Sequence, residues 1–103
     1  MKLTKEEKSE RKEWLKKLYS RGGWIVHDVG DFATYCYNPT LGNGDKAKTL
    51  RLSCAICAPD DKYKRKYGEY IALHRMFSYE FIYITVPVEV ADRISNPDLF
   101  RKM

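Results

Sequence analysis

TLRLSCAICAPDDKYKRKYGEYIALHRM, residues 49–76, is the stretch from which the fold can be read. Leu50, Leu52, Cys54 and Ile56 recur at a period of two, which places them on one face of a strand, with Arg51, Ser53, Ala55 and Cys57 on the other. Pro59 lacks an amide hydrogen and ends the ladder. Asp60 or Asp61 then supplies an N-cap for a helix predicted from about Asp61 to Arg75. Tyr63, Tyr67, Tyr70, Ile71 and His74 fall on one side of that helix. Gly68 and Ala72, four apart, fall on another, where small side chains let a second element approach closely.

Working back from the strand, NPTLGNGDKAK at 38–48 is rich in chain breakers and reads as a hairpin loop. It lacks the GxxxxGK[ST] spacing of a phosphate-binding loop. FATYCYN at 32–38 alternates as a strand, and WIVHDV at 24–29 reads as another, with the turn formers Gly30 and Asp31 between them as a tight hairpin or an irregular link. Residues 4–20 form an amphipathic helix. Thr4 and Glu7 have the spacing of a capping box, and Leu3, Glu7, Arg11, Trp14, Leu15 and Leu18 make one stripe. Arg21-Gly22-Gly23 stops it. Working forward, FSYEFIYITV at 77–86 reads as an interior strand because both of its faces become apolar or aromatic, and Pro87 ends it. Asn96 and Pro97 have the cap and first-turn chemistry of a short last helix, with Leu99 and Phe100 to dock it. The order helix, strand, strand, strand, helix, strand, helix predicts one α+β domain over 1–103, an antiparallel sheet packed against two helices with a short C-terminal helix.

Composition bounds the function. The 103 residues fit one domain, and 44% apolar content with 8 tyrosines excludes wholesale disorder. The net charge of +5, from 19 basic and 14 acidic side chains, favours an acidic partner. No apolar run is long enough for a membrane span, and the charged N-terminus reads as a cytosolic address.

Three cysteines do not suggest a secreted disulfide framework. Cys54 and Cys57 have CxxC spacing. Strand context puts them on opposite faces, and no second ligand pair accompanies them, so the expectation is no metal and no cofactor. His74, with Asp61, Glu69 or Glu80 as candidate partners, and His27 beside Asp28 are the histidines a catalytic reading would use. No HExxH, GxSxG or paired acidic motif supports one.

The basic run Lys62, Lys64, Arg65 and Lys66 opens the central helix, against the preference of the helix dipole for acids there. With Tyr67 and Arg75 it is the predicted binding surface. Helical spacing turns Lys64 and Arg75 the same way and Lys62 and Lys66 elsewhere.

Residues 51–75 resemble a pattern found in small accessory proteins of bacteriophages. An alternating strand runs into a small residue and cysteine, then Asp, an aromatic, Arg-Lys, Gly, Ile-Ala and a final Arg. The matching positions here are Ala55, Ile56, Cys57, Asp61, Tyr63, Arg65, Lys66, Gly68, Ile71, Ala72 and Arg75. The resemblance covers about a quarter of the chain. It implies a phage setting and the host cytoplasm, with no settled biochemical role. The expectation is a non-enzymatic protein that binds and modulates a host macromolecule, with a host protein as the leading partner. A basic nucleic-acid-binding protein is the first alternative and a small enzyme such as a nuclease the second. The aromatic excess also allows a homodimer.

Overall fold

The computed structural model describes residues 2–28, 30, 32–40, 46–58, 62 and 64–94. The elements run α1 (Lys5–Ser20), β1 (Trp24–His27), β2 (Ala33–Pro39), β3 (Ala47–Ile56), α2 (Arg65–Phe77), β4 (Ile82–Pro87) and α3 (Val88–Ile94). The strands form one antiparallel sheet in the order β1-β2-β3-β4, so the fold is α+β, with the order helix, strand, strand, strand, helix, strand expected from sequence as far as β4.

Local chemistry explains the ends of α1. Thr4 Oγ1 accepts from the Glu7 amide at 3.1 Å and Glu7 Oε1 accepts from the Thr4 amide at 2.9 Å, a complete capping box. At the other end Gly22 has φ +78, its amide donates to the Tyr19 carbonyl, and the Gly23 amide donates to the Leu18 carbonyl. This is a Schellman stop, with glycine at the left-handed position where a Cβ is unfavourable.

Register sorts the sheet into two faces. Ile25 and His27, Thr34, Cys36 and Asn38, and Ser53 and Ala55 lie on the side that receives α2, with α1 packed against α2. Leu18, Cys36, Ala55, Ala72, Leu73 and Met76 are the buried centre of this layer, and Trp14, Leu15, Ile25, Ile71, Phe77 and Phe81 pack around it. Leu18 and Leu73 have no exposed surface, and burial of each such side chain contributes on the order of 2 kcal/mol. The opposite face carries Trp24 stacked on Tyr37 at 5.2 Å and a fully buried Leu50. There α3 folds back, with Ala91 buried and Asp92 Oδ1 4.0 Å from Lys48 Nζ.

Three expectations need correction. The central helix begins at Arg65, not Asp61. Lys64 is extended (φ −128, ψ 118) and occupies the N-cap without a side-chain hydrogen bond. Phe77–Phe81 is not strand, because α2 runs through Phe77, whose ring stacks beside Trp14 at 6.5 Å. Ser78 then caps the helix, and Tyr79 takes φ 62. The strand that follows is an edge strand, not an interior one, and Ile82 and Tyr83 are largely exposed.

VEVADR, unassigned from sequence, lies within α3, which follows β4 directly at Pro87. The Asp60/Asp61 cap, Pro59, Tyr63, residues 41–45 of the loop, Asp31 of the first turn and the helix expected after Asn96 lie outside the described residues.

The turn into β1 is tight enough to test. A Cβ on Gly23 would stand 2.5 Å from Leu18 Cδ1 and 2.6 Å from the Tyr37 carbonyl oxygen, so either a core leucine or the β2 backbone must move. Gly22 has open space and only its φ to protect. We expect Gly23→Ala to destabilise the fold by about 1–3 kcal/mol and Gly22→Ala by about 1 kcal/mol in urea denaturation. Equal stability of Gly23→Ala and wild type would show that α1 and β2 do not close on this residue.

Candidate binding groove and a buried ionic link

The sheet register places an unpaired strand edge beside α2. Cys57 donates its amide to Phe32 at 2.7 Å and Thr40 donates to Thr49 at 3.1 Å, so the odd-numbered residues of β3 exchange backbone bonds with β2. Even-numbered residues turn the other way, toward β4, and the Val88 amide donates to the Lys46 carbonyl at 3.1 Å in that register. The β4 pairing ends at Leu52↔Ile82. Among the described residues no strand continues it past Ser53–Ile56, so Cys54 and Ile56 face an empty lane. One group enters that lane: Arg75 Nη1 donates to the Cys54 carbonyl at 2.6 Å.

The lane opens into a cavity of about 350 Å³ between the end of β3 and one side of α2. Ala55, Ile56, Gly68 and Ile71 give it an apolar floor, with Cys57 and Ala58 at the strand end. Lys62, Lys64, Tyr67 and Arg75 surround it. Four of the six residues predicted as a binding surface are thus brought together. Arg65 and Lys66 are exposed but do not line the cavity. Lys64, Tyr67, Gly68, Ile71 and Arg75 form one side of the helix at spacings of three and four, as the shared direction of Lys64 and Arg75 suggested. Lys62 joins them although helical spacing turned it away, because it precedes the helix and its direction is not set by helical rotation. Sequence reasoning missed Ile56 as a site residue. Its only signal was position: an apolar side chain, 66% exposed, at the end of a strand longer than its neighbour.

The histidines fall differently. Glu69 does not reach His74. Its carboxylate bridges α1 to β1, with Oε1 2.8 Å from Arg11 Nη1 and Oε2 2.8 Å from His27 Nε2, while Thr34 Oγ1 lies 3.3 Å from His27 Nδ1. Arg11, His27 and Glu69 are 12–18% exposed. Burial pushes the Glu69 carboxyl upward, but the hydrogen bond and charge of His27, with the charge and hydrogen bond of Arg11, more than offset it and hold the group below its ordinary value. His74 is exposed, with its ring edge-on to Trp14 at 5.7 Å.

All three cysteines are free thiols. Burial, opposed by a hydrogen bond with Ser53, pushes Cys36 up to about 12. Among the described residues no group of three His, Cys, Asp or Glu side chains could hold a metal ion, and no helix is long and apolar enough to cross a membrane. In comparisons with known proteins, no family model, curated protein or solved structure shows significant similarity to the chain.

The Glu69 link has a defined pH dependence. A carboxyl held below its ordinary value of 4.5 stabilises the fold fully above that value and ceases to do so as pH falls through the lower folded-state value. We expect Glu69→Gln to cost about 1.5–3 kcal/mol at neutral pH, since it removes the charge that pairs with Arg11 and hydrogen-bonds His27. The gap from wild type should close as urea denaturation is repeated at progressively lower pH below 4.5. A gap that stays constant with pH would remove the ionic link as its cause.

Proposed function

We propose that this chain is a non-enzymatic binding module that takes an extended, acidic segment of a partner protein into the groove beside β3. The observation that carries the reading is the unpaired edge at Cys54 and Ile56, which opens into a cavity surrounded by Lys62, Lys64 and Arg75. A strand edge recognises backbone, because any extended peptide can add to the ladder there. The lysines and arginine add a preference for negative charge and speed the encounter.

The register also fixes which side chains would suit. In the lane, side chains on the α2 side meet Lys64 and Arg75, and those on the other side meet Ile56 and Ile82. The matching segment therefore alternates acidic and β-branched residues. Among the described residues the cavity lining offers cations and apolar groups, which suits the binding of an acidic segment. The resemblance to small phage accessory proteins supports a host protein as that partner, met in the host cytoplasm.

The test uses a fluorescein-labelled peptide of about eight residues alternating Glu and Val, compared with the same residues in two blocks. We expect the alternating peptide to bind more tightly. Lys62→Glu with Lys64→Glu should weaken it by about tenfold or more, equivalent to about 1.4 kcal/mol. Lys66→Glu, outside the cavity, should leave it unchanged. Ile56→Pro removes an amide that faces the lane and makes no bond to β2, so it should abolish binding of the alternating peptide while thermal melting shows the fold intact. Equal affinity for both peptide orders, together with full binding by Ile56→Pro, would rule out strand addition. Loss with Lys66→Glu equal to that with the cavity pair would rule out the groove.

A further inference from the structure

A second cavity, of about 300 Å³, lies past the C-terminal end of α2, where the helix side of the sheet is left uncovered. Its chemistry differs from that of the groove. Arg21, the C-cap of α1, sits over the Phe77 ring at 5.6 Å, and Arg51 of β3 sits over the Phe81 ring at 5.7 Å. Phe81 meets Tyr83 edge-on at 5.5 Å. Neither guanidinium makes an ion pair or hydrogen bond among the described residues. Asn38, 2% exposed and opposite Arg51 across the β2–β3 ladder, also lines the cavity, and its buried Oδ1 has no hydrogen-bond partner among the described residues.

We infer that this cavity is a binding site for a nucleoside phosphate. Two guanidiniums already held against aromatic rings offer their edges to an anion and need little ordering to do so. Tyr83 stands perpendicular to Phe81, whose ring Arg51 covers, and its own ring offers a flat apolar face on which a base can stack without regard to its identity. Tyr83 is 63% exposed, so the platform is open to a strand that passes over it. A simple anion would use the arginines and leave the rings idle. A neutral aromatic would use the rings and leave the arginines idle. A base joined to a phosphate uses both, and Asn38 Oδ1 adds a polar atom to the wall on the far side of Arg51 from Tyr83. Such a unit comes either from a free nucleotide or from single-stranded nucleic acid.

The test titrates a fluorescein-labelled oligothymidylate, thymidine 5′-monophosphate by competition, and inorganic phosphate alone. We expect the oligonucleotide to bind. Arg21→Gln and Arg51→Gln should each weaken it and lower the dependence of log affinity on log salt by about one. Tyr83→Ala, at an exposed position that spares the fold, should weaken it by roughly tenfold through lost stacking with the salt dependence unchanged. Lys62→Glu with Lys64→Glu should leave it largely intact at physiological salt. Competition by the mononucleotide assigns the site to free nucleotides, and binding by the oligomer alone assigns it to a strand; both support the inference. Competition by inorganic phosphate as strong as by the mononucleotide, no oligonucleotide binding, or an oligonucleotide affinity that depends on Lys62 and Lys64 but not on Arg21 and Arg51, would overturn it. The arginine and tyrosine variants should bind the alternating Glu-Val peptide as wild type does, so failure of this site is distinguishable from failure of the groove.

Discussion

The close approach of α2 to β3 is the contact on which the other layers depend. Ser53 and Ala55 on the strand face Gly68 and Ala72 on the helix, all of them buried. Ser53 Oγ donates to the Ala72 carbonyl at 2.6 Å, a side-chain bond to helix backbone that larger residues on either surface would prevent. With α2 held this low, Leu73 and Met76 reach the sheet and meet Leu18 from α1. Glu69 is carried to within 2.8 Å of both Arg11 and His27. Breaking one partner of such a partly buried link leaves a charge without its counterpart, so the three elements it joins are fixed together.

A mismatch in strand length produces the open edge. β3 has 10 residues and β4 has 6, and their pairing begins only at Leu52↔Ile82. The turn after α2 accounts for the shortfall. Tyr79 takes φ 62, and the Glu80 amide donates back to the Arg75 carbonyl at 2.8 Å, so these residues close the helix instead of pairing with Cys54 and Ile56. Open edges invite aggregation unless they are covered or charged. Here Arg75 occupies one carbonyl, and Lys62 and Lys64 stand at the cavity, which puts positive charge along the open edge.

Much of this was legible in the chain, for identifiable reasons. The Thr4–Glu7 box, the Gly22 stop and the alternation at Leu50–Ile56 are local signals, and each appears where the sequence puts it. The misread segments lie where local and tertiary preferences compete. Phe77-Ser-Tyr-Glu-Phe alternates like a strand, but Phe77 gains more by packing beside Trp14 as the last turn of a helix. VEVADR has no cap signal, and its helix follows β4 directly and buries Ala91. The basic run could be recognised as a surface, and its division in part, since helical spacing turns Lys64 toward Arg75 and Lys66 away. Lys62 joins Lys64, Tyr67 and Arg75 at the cavity because it precedes a helix that begins only at Arg65. The union of His27 with Glu69 and Arg11 spans 42 and 58 residues, and no local spacing encodes it.

The two cationic surfaces that border α2 are built differently, Lys62 and Lys64 with Arg75 in one and Arg21 with Arg51 in the other. On the proposed reading the groove charges follow a segment whose side chains vary, and lysine, a compact charge on a flexible stem, tolerates that variation. At the second cavity both charges are arginines lying on phenylalanine rings, where a planar guanidinium keeps a fixed orientation that a lysine ammonium would not. Arg51 and Cys54, whose carbonyl holds Arg75, are three residues apart on one strand, roughly 10 Å at strand rise. That distance is close to the screening length at physiological salt, about 8 Å, so charge in one cavity acts only weakly on affinity in the other. Coupling between them would have to pass through the position of α2 itself, whose two ends border the two cavities and whose middle is pinned by Ser53 and by the Glu69 link.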